Sequence, residues 1–456
     1  MVALAACSSD PAPAPAPSPS ASPTPSATST PEPEQGAWVT SPTDPTRRLL
    51  PVGPVDDPGP ANVVLDPSVE RQTWWGTGAA LTDASRSLLS GRGDLLDLLF
   101  SPTSPNGARL TLLRLPLSAT DFSPSLWTWA WDGSSAVPPE QAVAAADLVR
   151  DEILTLRPDL RVVGAPWTAP SSMKDGGSLR GGALSGAAEA SYADLLVAQA
   201  SWLRDHGVPL AATTLGNEPG LGLDYASMTM SDDQLARLGA AVGPRLHELG
   251  TELWALDHNW SDRPRVDAVQ AASGGFDAAA FHCYQGSPSS MAGLRVPRLV
   301  TECSGTTDDP TATFAYDARV LVAEAVAAGS SGLMMWNLAL DPAHGPLDAG
   351  SQWGCKDCRG LLTVTPTSAV AEPEFWTLAH LSRAASPGAR VIDVRAPAGV
   401  DAAAFADPDG TLGLFAHNDT GAAVTLRVGV AGGAVRAYVV RPGELFTVRG
   451  LPAGSQ

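Results

Sequence analysis

From residue 74 to about residue 340, short apolar runs alternate with longer Ala- and Leu-rich stretches, and the alternation repeats eight times. The strand candidates are Trp74 to Ala80, Leu110 to Leu115, Leu160 to Ala165, Ala211 to Leu215, Leu253 to Leu256, Ala278 to Phe281, Arg298 to Thr301 and Gly332 to Met335. The helical stretches between them include Pro139 to Leu156, Tyr192 to His206, Ser231 to Leu249 and Phe314 to Ala328. Strands this uniformly apolar need cover on both faces, which the intervening helices can give. Eight β-then-α units predict an α/β fold, a closed (β/α)8 TIM barrel.

The barrel is expected over residues 74–375. Beyond Trp376 the pattern changes. Val391 to Val394, Ala402 to Ala406, Thr411 to His417, Ala423 to Val430, Ala434 to Val440 and Glu444 to Arg449 read as strands between Gly, Asp-Pro and Asn-Asp turns. Residues 376–456 therefore predict an attached antiparallel β-sandwich. The early strand at 61–73 has no barrel partner and is expected to join it.

The chain of 456 residues has 44% hydrophobic content, enough for a large core. A net charge of -19 argues against a nucleic-acid or anionic-lipid partner held by a basic face. No apolar run is long enough to cross a bilayer. Leu4-Ala5-Ala6-Cys7 before Ser8-Ser9-Asp10 is similar to a bacterial lipobox, with Cys7 as the lipidated residue. Residues 1–7 then read as a truncated signal. The Pro-, Ser-, Thr- and Ala-rich residues that follow cannot build a core, and 8–60 are expected to be a disordered stalk. Membrane association would come only through that anchor, at an extracellular or cell-surface location. Setting Cys7 aside leaves four of the five cysteines. An even number suits an oxidising compartment. Cys355-Lys356-Asp357-Cys358 reads as a local loop disulfide, since no second pair of ligands accompanies it. Cys283 and Cys303 each follow a strand tip and are candidates to pair.

Active sites of such barrels stand at the C-terminal strand tips. There the sequence puts Arg114 and Asp121, then Pro166-Trp167, Asn217-Glu218, Asp257-His258-Asn259-Trp260, His282-Cys283-Tyr284, Glu302 and Trp336-Asn337. Two strand-tip glutamates are the minimum equipment for cleaving a glycosidic bond. Most of the thirteen tryptophans are expected in the core; those at strand tips suit the apolar faces of sugars. The scattered histidines lack metal-ligand spacing, so neither metal nor cofactor is called for.

Several segments together carry a resemblance. They are Gly76-Thr77-Gly78-Ala79-Ala80-Leu81-Thr82-Asp83, Leu113-Arg114-Leu115-Pro116, Ala165-Pro166-Trp167-Thr168-Ala169-Pro170, Gly216-Asn217-Glu218-Pro219, Phe281-His282-Cys283-Tyr284, Thr301-Glu302-Cys303-Ser304-Gly305 and Trp336-Asn337-Leu338. In this order the chain resembles the glycoside hydrolase family of the glucosylceramidases, family 30, which includes β-glucosidases, β-xylosidases and endo-β-1,6-glucanases. The resemblance implies Glu218 as acid/base and Glu302 as nucleophile of a retaining hydrolase acting on β-glucosidic bonds. It further implies Asn217 on the sugar 2-hydroxyl, Arg114 and Tyr284 as donors to Glu302, and Asp121, Trp167 and Trp336 around the cleaved ring. His282 either bonds near the nucleophile or orients Glu218. Asp83 touches sugar or caps the next helix; His258 and Trp260 read as loop packing. The implied partner is a carbohydrate or glycoconjugate, and the expected state a monomer. The wording around His282 and Glu302 looks closer to the endo-β-1,6-glucanase side. A β-xylosidase and an inactive carbohydrate-binding surface protein are the alternatives.

Overall fold

The computed structural model describes residues 35–306, 309–430 and 433–452. The signal at 1–7, lipidation of Cys7 and the stalk up to residue 34 lie outside the described residues. Eight parallel strands close a barrel in chain order: Gly76–Ala80, Leu112–Pro116, Arg161–Ala165, Leu210–Thr214, Glu252–Asn259, Ala278–His282, Arg298–Glu302 and Ser330–Asn337. Each overlaps one expected strand. Leu112, Val163, Ala212, Trp254, Ala278, Ala280, Leu299 and Met334 form a core cluster of their own, set apart from the one that contains the helices. This is the filled barrel interior. The alanines at 212, 278 and 280 leave room for the indole of Trp254, whose ring lies 5.5 Å from that of Trp75. At Gly78 a Cβ would meet the Leu112 carbonyl oxygen at 2.2 Å, so only glycine lets the first two strands approach this closely.

Helices cover the outside. Helix Asp232–His247 starts at a capping box of Ser231 and Gln234. The stretch expected as one helix from 139 to 156 is interrupted by a π-turn at Val149–Ile153.

The second layer is one hydrogen-bonded order of nine strands. Strand Val63–Thr73 sits within it, antiparallel to Arg390–Arg395 and parallel to Val424–Val430, so the sandwich is not wholly antiparallel. The sheet folds over on itself: Tyr438 and Phe446 lie six places apart in the strand order, yet their rings are 5.1 Å apart. Alternation divides its faces. Leu412, Leu414 and Ala416 enter the sandwich core, and Phe415 joins the cluster of the barrel helices.

Two expectations need correction. The stalk does not reach residue 60. Gly36–Thr40 pairs antiparallel with Leu445–Pro452, with Trp38 opposite Thr447, and Val55 bridges to Ala437. The apolar triplet Ala37-Trp38-Val39 explains it, since this segment can bury what the Pro/Ser-rich one cannot. The boundary at 375/376 falls inside helix Pro373–Ala384, which is buried along most of its length. His380 in that helix joins Thr40 Oγ1 at 2.8 Å and Thr447 Oγ1 at 3.0 Å, tying the two layers together.

Candidate active site

The strand ends converge on one buried polar network with Asp257 at its centre. The Asp257 carboxylate accepts from Arg114 Nη2 at 2.8 Å, Thr214 Oγ1 at 3.0 Å and Thr301 Oγ1 at 2.8 Å, and it faces His282 Nε2 at 3.0 Å. Burial alone would raise its pKa, but Arg114 and His282 hold it well below the ordinary carboxylate range. Arg114, itself buried, also donates to Asn217 Oδ1 at 2.7 Å and through Nη1 to Glu302 Oε2. One guanidinium thus fixes the tips of strands four, five and seven. The backbone is bent to make this possible. Leu256 (φ 70°), Asp257 (φ 62°) and Glu218 (φ 45°) all occupy the left-handed region that non-glycine residues avoid.

His282 is fully buried, with Nδ1 at 3.1 Å from Glu218 Oε1 and Nε2 on Asp257. With a carboxylate at each ring nitrogen, the imidazolium, a donor at both, is the form that fits. Burial would lower its pKa; Glu302, Asp257 and Glu218 outweigh that and raise it to about 10. In return His282, then His258 and Arg114, overcome the effect of burial and hold Glu218 below its usual value. One atom each from Glu218, His282 and Glu302 fall within 4.8 Å of one another. A protonated imidazole has no lone pair for a metal, so this trio suits proton handling better than ligation.

Around this centre, Tyr284 Oη donates to Glu302 Oε1 at 2.9 Å. Trp167 and Trp336 stack with centroids 5.1 Å apart, and the Arg114 guanidinium carbon lies 4.6 Å above the Trp167 ring. Asp121 is buried, accepts from the Cys355 backbone N–H at 3.2 Å, and is raised to about 7, chiefly by burial. Because the folded state holds that proton more tightly than the unfolded chain, stability falls as pH rises from about 4 to 7. Asp121→Asn should therefore melt higher than the parent at pH 7.5 and at the same temperature at pH 4. Thermal melts at the two pH values test this; an equal shift at both would contradict it.

The residues named from sequence fall into three groups. Arg114, Asn217, Glu218, His282, Tyr284 and Glu302 share the network. Asp121, Trp167 and Trp336 stand beside it. His282 is bonded to Glu218 and lies 3.9 Å from Glu302, so of its two expected contacts the first-hand one is with Glu218. Asp83 neither caps nor stands free. Thr82 caps that helix, and Asp83 accepts from Ser123 Oγ at 2.5 Å and Trp127 Nε1 at 2.6 Å. Trp260 is the one buried residue of the short turn Trp260–Asp262. His258 does more than pack: it bridges Asp262 at 2.9 Å and reaches within 3.9 Å of Glu218. Cys283 pairs with Cys303, joining the tips of strands six and seven, and Cys355 pairs with Cys358. The sequence puts Asp257 at the tip of strand five but assigns it no role. An aspartate directly after the apolar run Leu253-Trp254-Ala255-Leu256 must be paired if buried, and that rule was the available signal.

Residues 75–238 match the glycosyl hydrolase family 30 TIM-barrel domain, and residues 388–444 match the family 30 beta sandwich domain. The chain belongs to glycosyl hydrolase family 30. This family 30 hydrolase is 27% identical to the endo-1,6-beta-D-glucanase neg1 of Aspergillus fumigatus, over 80% of its own length and 82% of the relative's. It is also 27% identical to the endo-1,6-beta-D-glucanase BGN16.3 of Trichoderma harzianum, over 85% and 87%. A putative glucosylceramidase 1 of Caenorhabditis elegans is 25% identical over 77% and 75%. Among solved structures, the endo-beta1,6-glucanase BT3312 superposes with a TM-score of 0.82, covering 91% of this chain and 98% of that one at 24% identity. At that identity the likeness speaks for the fold of the family 30 enzyme.

Proposed function

We propose that the chain is a retaining β-glycosidase of endo-β-1,6-glucanase type, with Glu302 as nucleophile and Glu218 as acid/base. The observation that carries the reading is the closeness of the two carboxylates. One oxygen each of Glu218 and Glu302 lie within 4.8 Å of each other, an approach in keeping with the about 5–5.5 Å carboxyl separation of retaining enzymes.

The mechanism follows from the contacts. Arg114 and Tyr284 each donate to Glu302 and aim it at the anomeric carbon. Glu302 forms the bond to that carbon as the bond to the leaving oxygen breaks, and Glu218 gives that oxygen a proton. His282 Nδ1, 3.1 Å from Glu218, orients that carboxyl for the transfer. Once Glu302 is esterified its negative charge is gone. Glu218 then loses a reason to hold a proton and becomes the base that activates water. Asn217, held by Arg114, is placed to bond the sugar 2-hydroxyl. Trp167 and Trp336 wall the ring, and Asp121 accepts from its hydroxyls.

Two relatives of matching length carry the name endo-1,6-beta-D-glucanase, which favours a β-1,6-glucan substrate. The test is turnover of pustulan, glucosylceramide, and aryl β-glucoside and β-xyloside. Pustulan and the glucoside are expected to be cleaved with retention at the anomeric carbon. Turnover of the xyloside alone would replace the glucan reading with a β-xylosidase. We further propose an extracellular or cell-surface site of action with a lipid on Cys7. The two disulfides support the compartment. Absence of radiolabelled palmitate from the chain expressed behind a complete lipoprotein signal in a bacterial host would rule out the lipid.

A further inference from the structure

The loop over residues 348–358 lies directly on Asp121 and carries an indole that no part of the fold uses. Twelve of the thirteen tryptophans are buried or half-buried; Trp353 is 71% exposed. The loop beneath it is heavily braced. The Asp224 carboxylate accepts from Ser351 Oγ and the Gln352 backbone N–H, both at 2.7 Å, and from the Trp353 backbone N–H at 3.3 Å. Arg180 forks onto Asp348 at 2.5 and 2.8 Å, and the Cys355–Cys358 disulfide closes the far side. Holding an indole in water costs solvation, and fixing its backbone costs entropy. A braced, exposed aromatic at the edge of a site is how proteins prepare a stacking surface.

Its position says for what. Asp348 N–H donates to the Asp121 carbonyl at 2.8 Å, Cys355 N–H donates to its carboxylate, and a Cβ on Gly354 would meet Asp121 Cβ at 3.2 Å. Trp353 therefore continues the site on the Asp121 side. On the reading above, Asp121 addresses the hydroxyls of the ring being cleaved. In a β-1,6 chain the preceding ring is attached through one of those hydroxyl positions, O6. We propose that Trp353 is the stacking platform of a second sugar subsite, holding the glucosyl ring that precedes the cleaved one. This rests on the glucan reading and adds to it a preference for chains over single glucosides.

The experiment compares Trp353→Ala and Trp353→Phe with the parent on an aryl β-glucoside and an aryl β-gentiobioside, with pustulan alongside. The alanine variant should keep the parent's kcat/KM on the glucoside within twofold, and lose about tenfold on the gentiobioside and on pustulan. Phenylalanine should restore most of that loss. Equal losses on both aryl substrates would make Trp353 a structural residue, and no loss on either would leave the indole idle; both overturn the subsite. A loss on pustulan alone would put the ring on the leaving-group side and overturn the assignment made here. A parent enzyme that cleaves neither pustulan nor either aryl substrate would instead bring down the glucan reading, and the subsite with it.

Discussion

Glu302→Gln is expected to lose activity by about 10,000-fold or more on every substrate, because no other group can form the bond to the anomeric carbon. Glu218→Gln should behave differently. With an alkoxide leaving group, as in a glucan, loss of the proton donor is expected to cost about 100- to 10,000-fold. With 2,4-dinitrophenolate, which leaves without a proton, the first step should survive while the water-dependent second step fails. Rapid mixing of Glu218→Gln with the dinitrophenyl glucoside should then show a burst of one phenolate per enzyme followed by near silence. Glu302→Gln should show no burst. Both substitutions keep the side-chain shape. Arg114 keeps Asp257 as a partner in one, and His282 keeps Asp257 in the other, so the fold should persist. A burst in the Glu302 variant and none in the Glu218 variant would exchange the two roles. Parent-like turnover by either would end the assignment.

The barrel was legible because each strand is a continuous apolar run closed by a polar tip, and that pattern survives without knowledge of neighbours. Arg298–Glu302 is a case in point: three apolar or neutral residues are followed by the one carboxylate the rim needs. Gly36–Thr40 was hidden for a different reason. Five residues after a Pro-rich leader carry little signal, and their partner strand lies some 400 residues away in the chain. Asp257 was hidden because its meaning is pairwise. On its own it is an aspartate at the end of a strand. Only the approach of Arg114, Thr214, Thr301 and His282 from four other strands or strand tips makes it the anchor of the site. Trp353 shows the reverse limit: composition marks thirteen similar residues, and only burial tells which one faces water.

Arg114→Met should be the most damaging single change to stability. Methionine can fill the space between Trp167 and the strand tips, so the cavity cost is small. What remains is electrostatic. Asp257 and Glu302 would stay buried without their shared cation, and Asn217 would lose its donor. Removing one partner of a buried charge network costs about 3–5 kcal/mol. The sign of the pH dependence identifies the cause. In the parent, Asp257 is held below its usual pKa, so its contribution is present above about pH 4 and is lost only in stronger acid. In the variant Asp257, buried and without Arg114, would bind its proton more tightly when folded than when unfolded. The deficit relative to the parent should then shrink as pH falls from 7 toward 4. Adding Asp257→Asn should recover part of it at pH 7, because a neutral amide needs no counter-charge. Chemical denaturation of the parent, the single and the double variant at pH 4.5 and 7 measures both effects. A deficit independent of pH and untouched by the second substitution would mean that Arg114 stabilises the rim by packing against Trp167, with its charge playing no part.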